Sequence, residues 1–305
     1  MTSAPIAKAP DSRALLVLIL GACTIGWSPI FVRLGHTGPA ATGFWRLAFA
    51  LPWLLLAVGR PGASSDALAA LKTPMIWLCA AFFAADLGFW HYGLHFTSVA
   101  NATVLSNLTP IIVTTFAWLV LKERPLPIFL LGMAIAVLGA VGMAVFKAGV
   151  GGRAPSYLGD MLSVMTAVWY AGYFLVVRQV RARFSTTAVM LGTTLPGLPI
   201  LLLVAVLLHE PLTPASTGGW LALAALGLTH VIGQSSIAWA LGRLSTALAA
   251  VVVLVQPVVA ALLGWLIFGE AMTPLQAAAA ALALAGVAIA QLAARKPRLP
   301  TAQAA

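Results

Sequence analysis

The sequence predicts an all-α membrane protein: ten transmembrane helices forming two inverted five-helix repeats. Three observations carry this. Of 305 residues, 61% are hydrophobic and 8% charged, with a mean hydropathy of +1.01. A soluble domain carries roughly 25% charge, and no aqueous fold could cover this much apolar surface. Secondly, residues 105–127, LSNLTPIIVTTFAWLVLKERPLP, return at 252–274 as VVLVQPVVAALLGWLIFGEAMTP. A shift of 147 places Pro110 on Pro257, Trp118 on Trp265, Glu123 on Glu270, Pro127 on Pro274 and Gly139 on Gly286. A period of nearly half the chain indicates duplication of a whole unit rather than a solenoid. Thirdly, lysine and arginine gather on alternate connections.

A helical span needs about 20 apolar residues. Ten runs qualify: 14–34, 40–59, 74–95, 98–121, 126–146, 157–178, 186–208, 219–241, 244–268 and 273–293. Short links rich in glycine, proline and charge separate them, the longest at 60–73, 147–156 and 209–218. The predicted organisation is a tail at 1–13, a first repeat at 14–150, a second at 151–293 and a tail at 294–305. Both tails have the composition of disordered, cytoplasmic segments. The first apolar run is long enough to span and lacks a cleavage pattern, so it is not read as a removable signal.

With the N-terminus inside, thirteen basic residues fall on cytoplasmic segments, including Arg60, Lys72, Arg178, Arg181, Arg183 and Arg243. Three, Arg33, Lys147 and Arg153, fall outside, and Arg46 lies within a span. The positive-inside rule therefore places both termini in the cytoplasm. Five spans is an odd number, so the second half must enter the bilayer from the opposite side, an arrangement suited to alternating access. The net charge of +10 does not indicate nucleic-acid binding, because the basic residues sit in these links. Cys23 and Cys79 lie in apolar runs with no disulfide or metal spacing. No metal or other cofactor is expected.

Polar groups inside a bilayer are costly and face a cavity or another helix. In the third span Asp86 and Trp90 share a face with Cys79 and Phe82, at the four-residue spacing of a helix, and His91 points elsewhere. Asp86 is a candidate proton site or ammonium partner; a structural hydrogen bond near the membrane edge is the other reading. His91 is a substrate contact or a satisfied core group. Asn101 and Asn107 mark the fourth span. Pro110 cannot donate to the carbonyl of Ser106, nor Pro257 to that of Val253, so both are expected to make kinks, serving as hinges or as packing. Gln256 adjoins Pro257 among small neighbours. Trp169, Tyr170 and Tyr173 form an arc on the sixth span, Trp27 stands with Thr24 and Phe31 on the first, and His230 and Gln234 share a face of the eighth. Aromatic walls with polar tips suit an aromatic or amphipathic ligand, though interface belts draw on the same residues. Spans five and ten offer Gly132, Gly139, Gly142, Ala278–Ala281 and Gly286 for close helix packing. Glu123 and Glu270 precede helix starts and are read as fold-setting. Arg46 is expected to snorkel outward, carboxylate binding being the alternative.

The ten spans, the five-plus-five repeat, and an aromatic-x-L-x-x-x-S-x-A pattern at Tyr92–Ala100 and Trp239–Ala247, each followed by a proline and W-L-x-x-x-E, resemble the EamA-type branch of the drug/metabolite transporter superfamily. Within it the chain looks like the YddG-type aromatic amino-acid exporters of bacterial inner membranes. The resemblance covers residues 14–293 and implies a central cavity lined by helices three, four, eight and nine, with one and six assisting. It implies outward transport of small organic solutes, most of all aromatic amino acids or related metabolites, by a monomer. Leu248 replaces Asn101 in the second repeat, so the halves need not contribute equally. Other readings are an exporter of cationic drugs, a channel or an intramembrane enzyme. A channel would show a charged ring or carbonyl filter. An enzyme would show a nucleophile–base pair or a metal set, and none stands out.

Overall fold

The computed structural model describes residues 11–60, 62–96, 105–120, 125–146, 156–269 and 273–295. Among these the regular structure is helical throughout: α1 (Ser12–Ile25), α2 (Ser28–Gly35), α3 (Pro39–Val58), α4 (Ala63–Leu71), α5 (Pro74–Phe96), α6 (Thr109–Leu119), α7 (Pro127–Val145), α8 (Tyr157–Val180), α9 (Thr186–Leu207), α10 (Thr217–Thr229), a π-helical turn (His230–Gln234), α11 (Ser235–Leu241), α12 (Thr246–Val253), α13 (Val255–Phe268) and α14 (Pro274–Arg295). Proline opens α3, α5, α7 and α14, where its missing N–H costs nothing. Ser185, Ser216 and Ser245 cap α9, α10 and α12 through their hydroxyls, satisfying otherwise orphaned amides. The serine of the repeated motif is thus a helix start in the second half; its counterpart Ser98 lies outside the described residues.

Among the described residues, eight helical segments are long and apolar enough to cross a membrane: Ser12–Gly35, Pro39–Val58, Pro74–Phe96, Tyr157–Val180, Thr186–Leu207, Thr217–Leu241, Thr246–Phe268 and Pro274–Ala294. At the fourth and fifth expected spans the described helices are shorter, Thr109–Leu119 and Pro127–Met143. The expected link at 60–73 differs: α4 forms there, burying Ala67 and Ala70 against α9 while Leu68 stays exposed. Four alanines, two leucines and no internal glycine give it helix propensity the apolar count did not weigh.

Packing pairs elements across the halves. α7 lies on α14, α5 on α8, α3 on α9, and α1 against the π turn and α11. A Cβ on Gly132 would fall 2.6 Å from Ala290 N, and one on Gly142 would fall 3.0 Å from Ala279 Cβ. Rising numbers on α7 thus meet falling numbers on α14, and the two run antiparallel. Gly93 against Ser163 and Gly172 against Phe82 give α5 and α8 the same relation. The environments of Gly139 and Gly286 match. A Cβ on Gly139 would meet Ala283 Cα at 2.6 Å and Ala279 O at 2.7 Å; one on Gly286 would meet Ala136 Cα at 2.6 Å and Gly132 O at 2.7 Å. Each pair differs by 147 positions. Without a hydrophobic drive between helices in lipid, such backbone approach over small residues supplies the association.

Candidate functional site

The fourth and ninth spans break at the same repeat position. The helix interrupts at Asn107–Leu108 before α6 and at Leu254 between α12 and α13. Pro110 and Pro257 sit in the first turn of the helix that follows each break. The carbonyl that Pro110 frees accepts a hydrogen bond from Thr109 Oγ1 at 3.0 Å, the hydroxyl partner such a group needs where water is absent. Pro52 in α3 and Pro199 in α9 form a second pair at the same spacing. The eighth span is interrupted differently, by the π turn at His230–Gln234. π-bulges inside helices gather at functional sites. This one turns His230 and Gln234 fully inward. Gly21 and Gly233 allow α1 to approach it: a Cβ on either would lie 3.0 Å from the other's carbonyl oxygen.

Arg46 is the residue around which these elements converge. It is 3% exposed and in electrostatic contact with Asp86, Tyr170, Tyr173, His91 and His230. The expected outward snorkelling therefore does not occur. Its place about two turns inside α3 points it toward α5 and α8 rather than along the helix to water. Asp86 is 8% exposed and His91 3%. Tyr170 lies beside Gln234, Gln256 and Asp86, and Tyr173 beside Gln234. Arg46 Nε, both ring nitrogens of His91, Tyr173 Oη, His230 Nδ1, Gln234 Nε2 and Gln256 Nε2 are buried and complete no hydrogen bond among the described residues, although His91 lies near the Pro39 backbone and the two tyrosines near Gln234, placements too long or too bent for a full bond. Buried polar groups are normally paired, and each unpaired one costs about 1–3 kcal/mol. Several around one point mark a site whose partners come from elsewhere.

One side of the cluster is aromatic. Phe83 stands 4.9 Å from Tyr173 and 5.3 Å from His230 between ring centroids, and Tyr170 lies parallel to Tyr173 at 6.1 Å. His230 shares a 3.0 Å hydrogen bond between Nε2 and Thr194 Oγ1. Trp169 sits between Phe82 and Phe89 at 5.9 and 5.8 Å, and its Nε1 is buried and unbonded.

The structure brings together Asp86, His91, Tyr170, Tyr173, His230, Gln234 and Gln256, with Trp169 on the flank. Trp90 packs on His91 at 5.0 Å. Asn107 Nδ2 is buried at its helix break and has no hydrogen-bond partner among the described residues. Trp27 stands apart, 39% exposed and stacked on Phe31. Asn101, Glu123 and Glu270 lie outside the described residues. Sequence reasoning passed over Phe83, Thr194 and Glu210. Glu210 follows the seventh span and accepts hydrogen bonds from Ala40 N, Ala41 N and Tyr92 Oη. Only its place in a link, next to a helix start distant in sequence, makes it structural, and no local pattern signals that.

A broken-helix bundle with unpaired polar groups at its centre is the architecture of a membrane carrier. The profile of the EamA-like transporter family matches residues 12–145 and again 157–291, and the chain belongs to that family of transporters. It is 28% identical over 286 residues to a probable terminal-alkyne amino-acid exporter of Streptantibioticus cattleyicolor, covering 90% of this chain and 92% of that one. It is 26% identical over 213 residues to the pseudopaline exporter CntI of Pseudomonas aeruginosa, covering 67% and 70%. A solved crystal structure superposes with a TM-score of 0.77 over 93% of this chain and 99% of the other, at 24% identity.

Proposed function

We propose that the protein exports aromatic amino acids or closely related metabolites across the inner membrane by alternating access. The carrying observation is the set of buried polar atoms of both halves, on His91, Tyr173, His230, Gln234 and Gln256, set against the rings of Phe83 and Tyr170. Polar tips on an aromatic wall suit a solute with an aromatic body and a polar head. The named relatives, exporters of an amino acid and of pseudopaline, support the direction and the broad class. Arg46 buried at the centre weighs against a purely cationic drug, which it would repel.

The antiparallel run of α7 on α14 and the matching surroundings of Gly139 and Gly286 support ten spans in two inverted repeats, 14–150 and 151–293. Both termini are then cytoplasmic. Pro110 and Pro257 act as the hinges, since each follows a helix break. Asp86, Trp90, Asn107, Trp169 and Tyr170 belong to the solute path, with Trp27 as its outlying member; Asn101 is assigned to the path from the sequence alone. The carrier works as a monomer.

Reconstituted protein is expected to move labelled L-phenylalanine or L-tryptophan across liposomes at rates well above empty vesicles. Transport of quaternary-ammonium compounds with no amino-acid flux would overturn the reading in favour of a drug exporter.

A further inference from the structure

Arg46 and Asp86, a base and an acid, lie in the same buried cluster, on helices α3 and α5 that pack together. They are in electrostatic contact, yet among the described residues no ion pair joins them and Arg46 Nε has no hydrogen-bond partner. Inside a bilayer this is costly. Each charge alone costs at least ~2.5 kcal/mol on insertion scales, and direct pairing is the usual remedy. The other groups near them are the hydroxyls of Tyr170 and Tyr173 and the imidazoles of His91 and His230, with the amides of Gln234 and Gln256 beside the tyrosines. None of these can replace a counter-charge.

We infer that Arg46 and Asp86 form a charge fork that holds the two ends of a zwitterion, Arg46 taking the carboxylate and Asp86 the ammonium of an α-amino acid. The inference rests on the export of amino acids proposed above and deepens it. The planar guanidinium matches a carboxylate in a two-pronged hydrogen bond, and the carboxylate of Asp86 accepts from an ammonium group. The guest's side chain then points to Phe83, Tyr170 and Tyr173, whose rings adjoin the fork. Loaded with a zwitterion, the fork and its guest sum to zero charge. The loaded carrier therefore reorients without dragging net charge through the low-dielectric interior. A guest with one charged end fills one prong and leaves the other prong unanswered, which is how such a site rejects simple amines and simple acids.

The test uses the full-length protein in lipid nanodiscs, with labelled L-phenylalanine displaced by unlabelled L-phenylalanine, 3-phenylpropionate or 2-phenylethylamine. Wild type is expected to prefer the amino acid over either analogue by about tenfold or more, the scale of a lost charged hydrogen bond. In D86N, 3-phenylpropionate is expected to compete within about twofold of L-phenylalanine. In R46Q, 2-phenylethylamine is expected to do the same, and R46K should restore part of the wild-type preference. Because each comparison is a ratio within one protein, loss of folded material does not mimic it. Should both variants fail to bind any probe, the wild-type ratios decide, and an analogue that matches L-phenylalanine there overturns the fork. So do unmoved ratios in both variants. If wild type ignores L-phenylalanine, the same series with L-leucine, 4-methylpentanoate and isoamylamine separates the two ideas. Retained ratios there uphold the fork while removing the aromatic solute, and no binding of any α-amino acid removes both. Flux of L-phenylalanine with a wild-type preference below about twofold removes the fork alone.

Discussion

Asp66 and Glu210 hold corresponding joints of the two halves. Asp66 Oδ2 accepts from Ser185 N at 2.8 Å, at the start of α9. Glu210 accepts from Ala40 N at 3.2 Å and Ala41 N at 2.9 Å, at the start of α3, and from Tyr92 Oη. Helices α3 and α9 begin 147 residues apart. Each acid follows a residue in the left-handed region, Gly62 at φ 81° and His209 at φ 52°, again 147 apart. Each half therefore reaches across to cap the second span of the other, placing a negative charge on the positive end of that helix. One clasp lies at each end of the bundle. A carrier that opens alternately must loosen one while the other stays shut.

If these clasps are independent, removing one charge should loosen its own joint only. E210Q is expected to raise amide hydrogen exchange at Ala40 and Ala41 by about fivefold or more while leaving Ser185 unchanged; D66N should do the reverse. Each variant loses about 1 kcal/mol, the usual value of a helix cap. Equal exchange at both joints in either variant would show that the acids are not separate clasps.

Trp169 touches Phe82 and Phe89 by its ring and leaves Nε1 unbonded, so its two roles can be separated. W169F keeps most ring contact and loses the donor; W169A loses both. Transport of L-phenylalanine is expected to fall by about fivefold in the first and about fiftyfold in the second, on the scale of one and two-plus kcal/mol, with unchanged yield of folded protein. H91A is expected to fall at least about tenfold, since its ring is buried in the polar cluster beside Arg46. Unchanged flux in W169A and H91A together would take both residues out of the path.

Fold class was readable because it follows from sums and periods. Apolar runs set the spans, and a 147-residue shift survives wherever backbone geometry needs proline or glycine. Many of the clustered residues were readable for a related reason: Tyr173, His230 and Gln234 are polar groups in runs that should hold none. Arg46 shows where this stops. A long basic side chain in a span can reach either the interface or the interior, and the choice depends on which face of α3 meets α5, a tertiary fact. Glu210 shows the same limit from the surface side, as its partners Ala40 and Tyr92 are far away in sequence. The π turn was unreadable because no residue type demands it. Its register shift is imposed by packing against α1 at Gly21.

Placement of the chain ends offers a direct measure of the topology. Reporter fusions that are active only in the cytoplasm should be active at both the N- and C-termini, and a cysteine at Ser216, before α10, should label from outside. Arg178, Arg181 and Arg243 lie together at the opposite end from Glu210, with Arg181 Nε donating to Ala238 O at 3.3 Å and Arg243 stacked 3.7 Å over Trp239, as a cytoplasmic face requires. A fusion active at one terminus alone would mean an odd number of spans and no inversion.

The antiparallel contact of α7 and α14 makes a prediction about paired substitutions. A Cβ on Gly139 or on Gly286 would fall 2.7 Å from a carbonyl oxygen of the facing helix, and backbone cannot step aside as a side chain can. G139A and G286A should therefore each destabilise by about 1–3 kcal/mol, the cost of overpacking, and by nearly equal amounts because their surroundings correspond. Together they should cost less than their sum, since either one already parts the same two helices. Gly142 faces Ala279 Cβ at 3.0 Å and the Phe146 ring at 3.3 Å, gaps that a shift of a few tenths of an ångström would relieve, so G142A should cost clearly less than G139A. Thermal melts of the three single variants and the double variant in one detergent decide it. A G142A as damaging as G139A, or a G286A without effect, would mean that the two helices do not meet over these glycines.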